Sequence, residues 1–283
     1  MINQEELNQF IALALQEDVR EGDHSSLASI DKNAQGKARL LVKDNGILCG
    51  LDVAKAIFNA VDADLKMDIH IQEGSAIKYG DIAFHVEGSA ISILTAERLV
   101  LNCMQRMCGI ATKTNEYVKA IEGTTAKVID TRKTTPNLRF LEKYAVTVGG
   151  GFNHRFGLYD MIMLKDNHID FCGGITKAIK KVQAYLQANN LDLRIEVETR
   201  KIEDVQEILS CGGIHRIMLD NYTPEKVREA VGLINKQYET EASGGITLDT
   251  IRSYAETDVD FISVGALTHS VRSLDLSLKA DIH

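Results

Sequence analysis

The chain has 283 residues, 45% hydrophobic and 25% charged, with a formal net charge of −8. This fits a globular protein with a sizeable core, long enough for a barrel plus a smaller partner, and excludes wholesale disorder. The acidity argues against a general binder of nucleic acid or anionic membrane, and no apolar run approaches the roughly 20 residues of a membrane helix.

The N-terminal residues 1–6 have neither the basic start nor the apolar stretch of a signal peptide. None of the five cysteines forms a C-x-x-C pair, and Cys103 and Cys108 read as core thiols of a helix. The expected compartment is the cytoplasm. Residues 5–18 predict a helix, with Leu7, Phe10, Ile11, Leu13 and Ala14 on one side. Residues 37–48 predict a strand and turn, and 51–61 a short apolar helix. From 65 to 93 the pattern alternates, with Gly74, Gly80 and Gly88 as turn marks, which predicts several short antiparallel strands. A helix follows over about 95–109, entered at Thr95, and another reaches about 122.

After Gly123 short apolar runs alternate with helical patterns. The runs lie at 127–130, 145–148, 161–164, 194–198, 216–220, 238–242 and 261–265; the helices lie at 174–189, 202–211, 223–235 and 247–256. Strands alternating with helices predict a parallel sheet. Arg132, His154, Lys165, Glu198, Asp220, Ser243 and Gly265 stand at or just beyond the ends of these runs. Polar groups at the C-terminal ends of successive strands are the layout of a β/α barrel site, and seven runs rather than eight predict an open, incomplete barrel. The expected domains are residues 1–110, a barrel over 111–270, and a tail over 271–283 packing back on the first domain.

Several constellations carry chemistry. Between Asp130 and His168 six Lys or Arg face four acids, so the window is +2 in an acidic chain. Arg132 and Lys133 follow a buried-looking strand, where adjacent cations are costly unless an anion meets them; Arg grips a carboxylate through paired hydrogen bonds. Gly149–Gly150–Gly151 leads into His154 and Arg155, which offer donors at fixed positions. Lys165 follows a strongly apolar strand, while Asp166, Asn167 and His168 are given turn duty. Glu198 and Asp220 would suit Mg²⁺ at a polyphosphate, or would bond ribose hydroxyls directly. Ser243–Gly244–Gly245, with the loop from Gly265 to Ser270, resembles a barrel phosphate site on the last strands.

Taken in order, DTRKT (130–134), GGGFNHR (149–155), LKDNH (164–168), EVE (196–198), LDN (219–221), SGG (243–245) and VGALTHS (264–270), with TAERLVLN and GIAT upstream (95–112), resemble the quinolinate phosphoribosyltransferases. Arg132 to His154 is 22 positions and His154 to Lys165 is 11, and both spacings suit that family. The resemblance implies an N-terminal α/β sandwich domain, an open α/β barrel and at least a homodimer. It implies that Arg132, His154, Arg155 and Lys165 surround quinolinate, with Arg98 entering from the neighbouring subunit. Lys133, Glu198 and Asp220 would meet phosphoribosyl pyrophosphate and its Mg²⁺. Ser243, Gly244, Gly245, Gly265 and His269 would hold its 5′-phosphate, and Lys133, Lys165, Glu198 and Asp220 would form the catalytic set. The implied reaction joins quinolinate to phosphoribosyl pyrophosphate with loss of carbon dioxide. A nicotinate-specific transferase without decarboxylation would need fewer cations. A sugar-phosphate aldolase or isomerase would use Lys165 as a Schiff base. A carrier-like β module over 65–93 would use Lys78.

Overall fold

The computed structural model of the protein describes residues 2–281. The chain opens with α1 (Gln4–Asp18), α2 (His24–Ser29), β1 (Gln35–Val42), β2 (Gly46–Ile47), α3 (Leu51–Val61), β3 (Lys66–Ile69), β4 (Ala76–Ile77), β5 (Ile82–Ser89) and α4 (Ala90–Ala120). Then come β6 (Lys127–Ile129), α5 (Arg139–Val148), β7 (Ile162–Leu164), α6 (Asp166–Cys172), α7 (Ile175–Asn189), β8 (Ile195–Thr199) and α8 (Ile202–Cys211). It closes with β9 (Arg216–Asp220), α9 (Pro224–Ile234), β10 (Glu239–Ser243), α10 (Ile251–Ala255), β11 (Phe261–Ser263), α11 (Ala266–His269) and β12 (Leu276–Ala280). Two compact units result: Met1–Asn115, Thr134–Gly150 and Thr268–His283 form one, and Glu116–Lys133 with Gly151–Leu267 form the other. None of the described helices is long and apolar enough to cross a membrane.

The first unit is built on an antiparallel sheet of order β12-β1-β5-β3. The tail strand β12 pairs with β1, placing Leu278 beside Leu40. Residues 65–93 supply β3 and β5 to this sheet, so they are part of a larger core and not a free-standing carrier module. Helix α1 begins where the Asn3 side chain accepts the N–H groups of Glu5 and Glu6 at 2.9 and 3.1 Å. It buries Leu7 and Ile11, one turn apart. At the start of α3 the Glu73 carboxylate accepts the N–H groups of Gly50 and Leu51 at 2.8 and 3.0 Å, a charge suited to a helix N-terminus.

Two expectations need correction. Helix α4 starts at Ala90, not Thr95, and runs unbroken through Gly109. That glycine does not end a helix; a Cβ there would lie 2.9 Å from the Val271 side chain, so it makes room for a close chain segment. The run at 145–148 is not a strand but the end of α5, because Leu141, Ala145 and Val146 are buried at helical spacing. Gly149 then ends α5 where a Cβ would meet Thr114 Cβ at 2.7 Å.

The second unit holds a parallel sheet of order β6-β11-β10-β9-β8-β7. Six strands form it, and β6 and β7 are its two edges, so the barrel is open. Phe152 adds one parallel bridge to Ile129 beside β6. Val128, Val197, Ile217, Leu219, Ala242 and Ile262 are buried on the strands. Cys103 and Cys108 are buried free thiols, each pushed up to about 12 by burial.

Candidate active site

Because β6 to β11 are parallel, whatever follows each strand gathers at the C-terminal edge of the sheet. Arg132 and Lys133 follow β6, Lys165 follows β7, and Glu198 lies one residue before the end of β8. Asp220 and Ser243 end β9 and β10 and are direct register partners. Gly265 follows β11. The second unit therefore brings together eleven of the thirteen residues singled out in the sequence. Arg98, exposed on α4, and His269, exposed at the end of α11, belong to the first unit.

The C-terminal ends of the strands form a polar mouth. Burial, and then the Asp220 carboxylate, push the Glu198 carboxyl upward, while Lys165 pulls it down. Two acids with a lysine beside them form a set that a hard cation or a row of hydroxyls would relieve. Lys165 is exposed, and its backbone N–H donates to His168 Nδ1 at 3.0 Å. The Asp166 Oδ1 accepts the Asn167 N–H at 2.6 Å, so these side chains hold the turn that presents the lysine. Gly244 and Gly245 adopt φ of +98° and +61°. A Cβ on Gly244 would lie 2.7 Å from Asn221 Cγ and 2.8 Å from its backbone nitrogen; a Cβ on Gly245 would meet nothing within 4 Å. One glycine is required by packing, and the other leaves open backbone.

A second group is cationic and drier. Arg132 Nε is buried and has no hydrogen-bond partner. Arg155 is buried, with Nη1 donating to the Met161 carbonyl at 3.1 Å. Burial, then the neighbouring Arg132 charge, lower the Arg155 pKa. Glu196 and Asp160 offset part of this repulsion, and a ligand carboxylate would offset more of it through charge-assisted hydrogen bonds. Lys133 is exposed, and its N–H donates to Thr131 Oγ1 at 3.1 Å.

Below these lies a charged layer that sequence reasoning missed. His154 is only 5% exposed at its side chain; its Nε2 is 2.8 Å from Glu196 Oε2 and 3.4 Å from Glu241 Oε2. Arg216 Nη1 pairs with Glu241 at 2.9 Å, and its guanidinium carbon lies 4.0 Å from the centre of the Phe261 ring. The His154 N–H donates to Asp130 Oδ1 at 2.8 Å, which fixes the loop to β6. Burial alone would lower the His154 pKa, but hydrogen bonds to Glu196 and Glu241 outweigh it and raise it to about 9. Burial, then the Glu241 charge, raise Glu196 to about 7. The ring and the two acids titrate as one coupled cluster. The Arg155 N–H sits 2.7 Å from His154 Nδ1, which would favour a bare nitrogen. That contact joins chain neighbours, whereas Nε2 faces two buried carboxylates, which favour the imidazolium. His154, Glu196 and Glu241 have ligand atoms within 4.8 Å of one another, as a metal site would. Arg216 also pairs with Glu239 at 2.9 Å, so one guanidinium serves two glutamates in this layer and the His154 ring faces both buried acids.

Residues 110–279 match the family described as quinolinate phosphoribosyl transferase, C-terminal domain, and residues 23–108 match its N-terminal domain. The chain belongs to the quinolinate phosphoribosyltransferase family. A relative from Nicotiana tabacum, named quinolinate phosphoribosyltransferase (decarboxylating) 2b, mitochondrial, is 45% identical over 98% of this chain and 82% of its own length. One from Bacillus subtilis, named probable nicotinate-nucleotide pyrophosphorylase (carboxylating), is 44% identical over 93% of this chain and 89% of its own. The crystal structure of NadC from Streptococcus pyogenes is similar at a TM-score of 0.93 and 40% identity, covering 99% of this chain and 97% of that one.

For a quinolinate phosphoribosyltransferase, the motif residues and the buried layer divide cleanly by strand position. The signal for the missed residues was present: Glu196, Arg216, Glu239 and Glu241 are charges inside runs that otherwise read as buried strands. By the two-residue period Glu196 shares a face with Glu198, Arg216 with Asp220, and Glu241 with Ser243.

Proposed function

We infer that this protein transfers the phosphoribosyl group of 5-phosphoribosyl 1-pyrophosphate to quinolinate, releasing pyrophosphate and carbon dioxide and leaving nicotinate mononucleotide. The observation that carries this reading is the cationic group: buried Arg155, Arg132 with an unpartnered Nε, and Lys165 on the next strand end. A pyridine dicarboxylate brings two negative charges to such a group. A monocarboxylate would leave more of it unmatched, which disfavours the nicotinate-specific alternative. The relative from Nicotiana tabacum is named for the decarboxylating reaction, which supports this reading.

In this reading Arg132, Arg155 and Lys165 hold the dicarboxylate, and the fixed His154 loop sets the direction of Arg155. Lys133, Glu198 and Asp220 meet the pyrophosphate and ribose. Ser243, Gly244, Gly245 and Gly265 receive the 5′-phosphate, with the open backbone at Gly245 suited to close approach. Mg²⁺, held at Glu198 and Asp220, would neutralise pyrophosphate charge as it leaves. The pyridine nitrogen attacks ribose C1 as the C1–O bond to pyrophosphate breaks. The C2–carboxylate bond then breaks, its electron pair stays on C2 beside the cationic ring nitrogen, and a proton from solvent completes the product. Positioning and electrostatics supply most of the rate. We place the enzyme in the cytoplasm as a homodimer, with Arg98 of each subunit serving the other's quinolinate site.

Arg132→Ala tests the assignment. Quinolinate affinity should fall by about 100-fold or more, as expected when a charge-assisted bidentate contact is lost. Phosphoribosyl pyrophosphate should still bind in calorimetry. Near-normal quinolinate affinity in that variant would remove Arg132 from the site.

A further inference from the structure

The LDN motif contains a residue with no role so far. Asn221 follows β9 in the left-handed region, with φ of +58°, a conformation asparagine tolerates. Its side-chain Nδ2 donates to Asp220 Oδ2 at 2.6 Å. The carboxylate can only accept, so this contact fixes which end of the carboxamide is nitrogen. Its backbone N–H donates to the Ser243 carbonyl at 2.9 Å. The carboxamide also fills the space that Gly244 leaves by having no side chain. One exposed residue therefore touches an acid on β9 and the glycine loop after β10.

We propose that Asn221 is a positioning residue for the phosphoribosyl pyrophosphate half of the site, a proposal that rests on the function inferred above. Through Nδ2 it holds one oxygen of Asp220 and leaves the other turned to the ligand. Through its carboxamide carbon and oxygen it sets how far the Gly244–Gly245 backbone can move toward β9. The carboxylate that meets the ribose or its metal and the backbone that meets the 5′-phosphate are thereby fixed to each other. The spacing between those two groups is what a phosphoribosyl ligand must match. Quinolinate makes no use of it.

The bland alternative is that asparagine serves only the left-handed turn. Asn221→Gly separates the two, because glycine adopts that φ without strain and removes only the carboxamide. The test is calorimetric binding of phosphoribosyl pyrophosphate with Mg²⁺ to the full-length protein, alongside thermal unfolding and the KM for each substrate. Asn221→Gly should weaken phosphoribosyl pyrophosphate binding about tenfold, the loss expected for a hydrogen bond to a charged group. The quinolinate KM and the thermal midpoint should hardly move. Asn221→Asp, which keeps the shape but sets a second acid against Asp220, should be weaker still. Unchanged phosphoribosyl pyrophosphate affinity in Asn221→Gly would overturn the proposal. So would an equal loss for both substrates accompanied by a lower midpoint. Wild-type protein that binds phosphoribosyl pyrophosphate but converts no quinolinate would overturn the substrate assignment while leaving the Asn221 contrast readable. Wild-type protein that does not bind phosphoribosyl pyrophosphate would overturn both.

Discussion

Glu196 and Glu198 stand two residues apart on one face of β8, yet they occupy different environments. Glu196 is fully buried and hydrogen-bonded to His154, with Glu241 and Arg216 completing a charged layer inside the barrel. Glu198 sits one step nearer the mouth, half-buried, with Asp220 and Lys165 as its charged neighbours. In the inner layer each acid already faces a cation within the protein through its Oε2, while Glu196 Oε1 and Glu241 Oε1 are buried without a hydrogen bond. At the mouth, the proposed function assigns the matching of these charges to a ligand. A displacement of two residues along a strand separates an acid paired inside the protein from one that we propose meets a ligand.

The largest expected effect falls on the inner layer. Glu241→Ala would leave His154 and Arg216 without their shared acid, and breaking a buried pair costs roughly 3–5 kcal/mol. Urea unfolding should show that loss, and a variant as stable as wild type would erase the distinction drawn here. Glu198→Gln should do the reverse: its turnover should fall by about 100-fold, a typical loss for a group that stabilises transition-state charge, while its urea midpoint stays near wild type. Gly244→Ala ranks next, since the new Cβ collides with Asn221 and φ is positive. It should raise the KM for phosphoribosyl pyrophosphate several-fold, by an amount on the order of 1–2 kcal/mol, with little change in that for quinolinate.

The smallest effect is a pH slope. The folded His154 pKa, about 9, lies above its ordinary value of 6.5. The raised value means that its stabilising contribution is complete below about pH 6.5 and is lost as pH climbs through 9. Wild type should therefore lose more stability between pH 7 and pH 9 than His154→Gln does. Parallel slopes in urea midpoints would show that the ring is neutral in the folded protein.

Most of this site was legible in the sequence because its residues follow strand ends, where apolar runs stop and polar motifs begin. The inner layer was harder to read. Glu196, Arg216 and Glu241 lie within apolar runs, and nothing local says that an acid on β8 will meet a histidine 42 positions earlier. His154 was legible as a site residue, but its burial against two acids was not. The misplaced strand at 145–148 had a local cause: four apolar or β-branched residues suit either period, and only the helical burial of Leu141 and Ala145 decides it. Gly109 misled for a similar reason, since a glycine that breaks a helix and one that admits a neighbouring chain look alike in sequence.

The most direct test is turnover by purified protein with Mg²⁺ and phosphoribosyl pyrophosphate, offered quinolinate and nicotinate separately, scoring nicotinate mononucleotide and carbon dioxide together. The account predicts product with an equal amount of carbon dioxide from quinolinate, and no product from nicotinate. Product from nicotinate without gas would contradict it, because the paired cations at Arg132 and Arg155 would then not be reading a dicarboxylate.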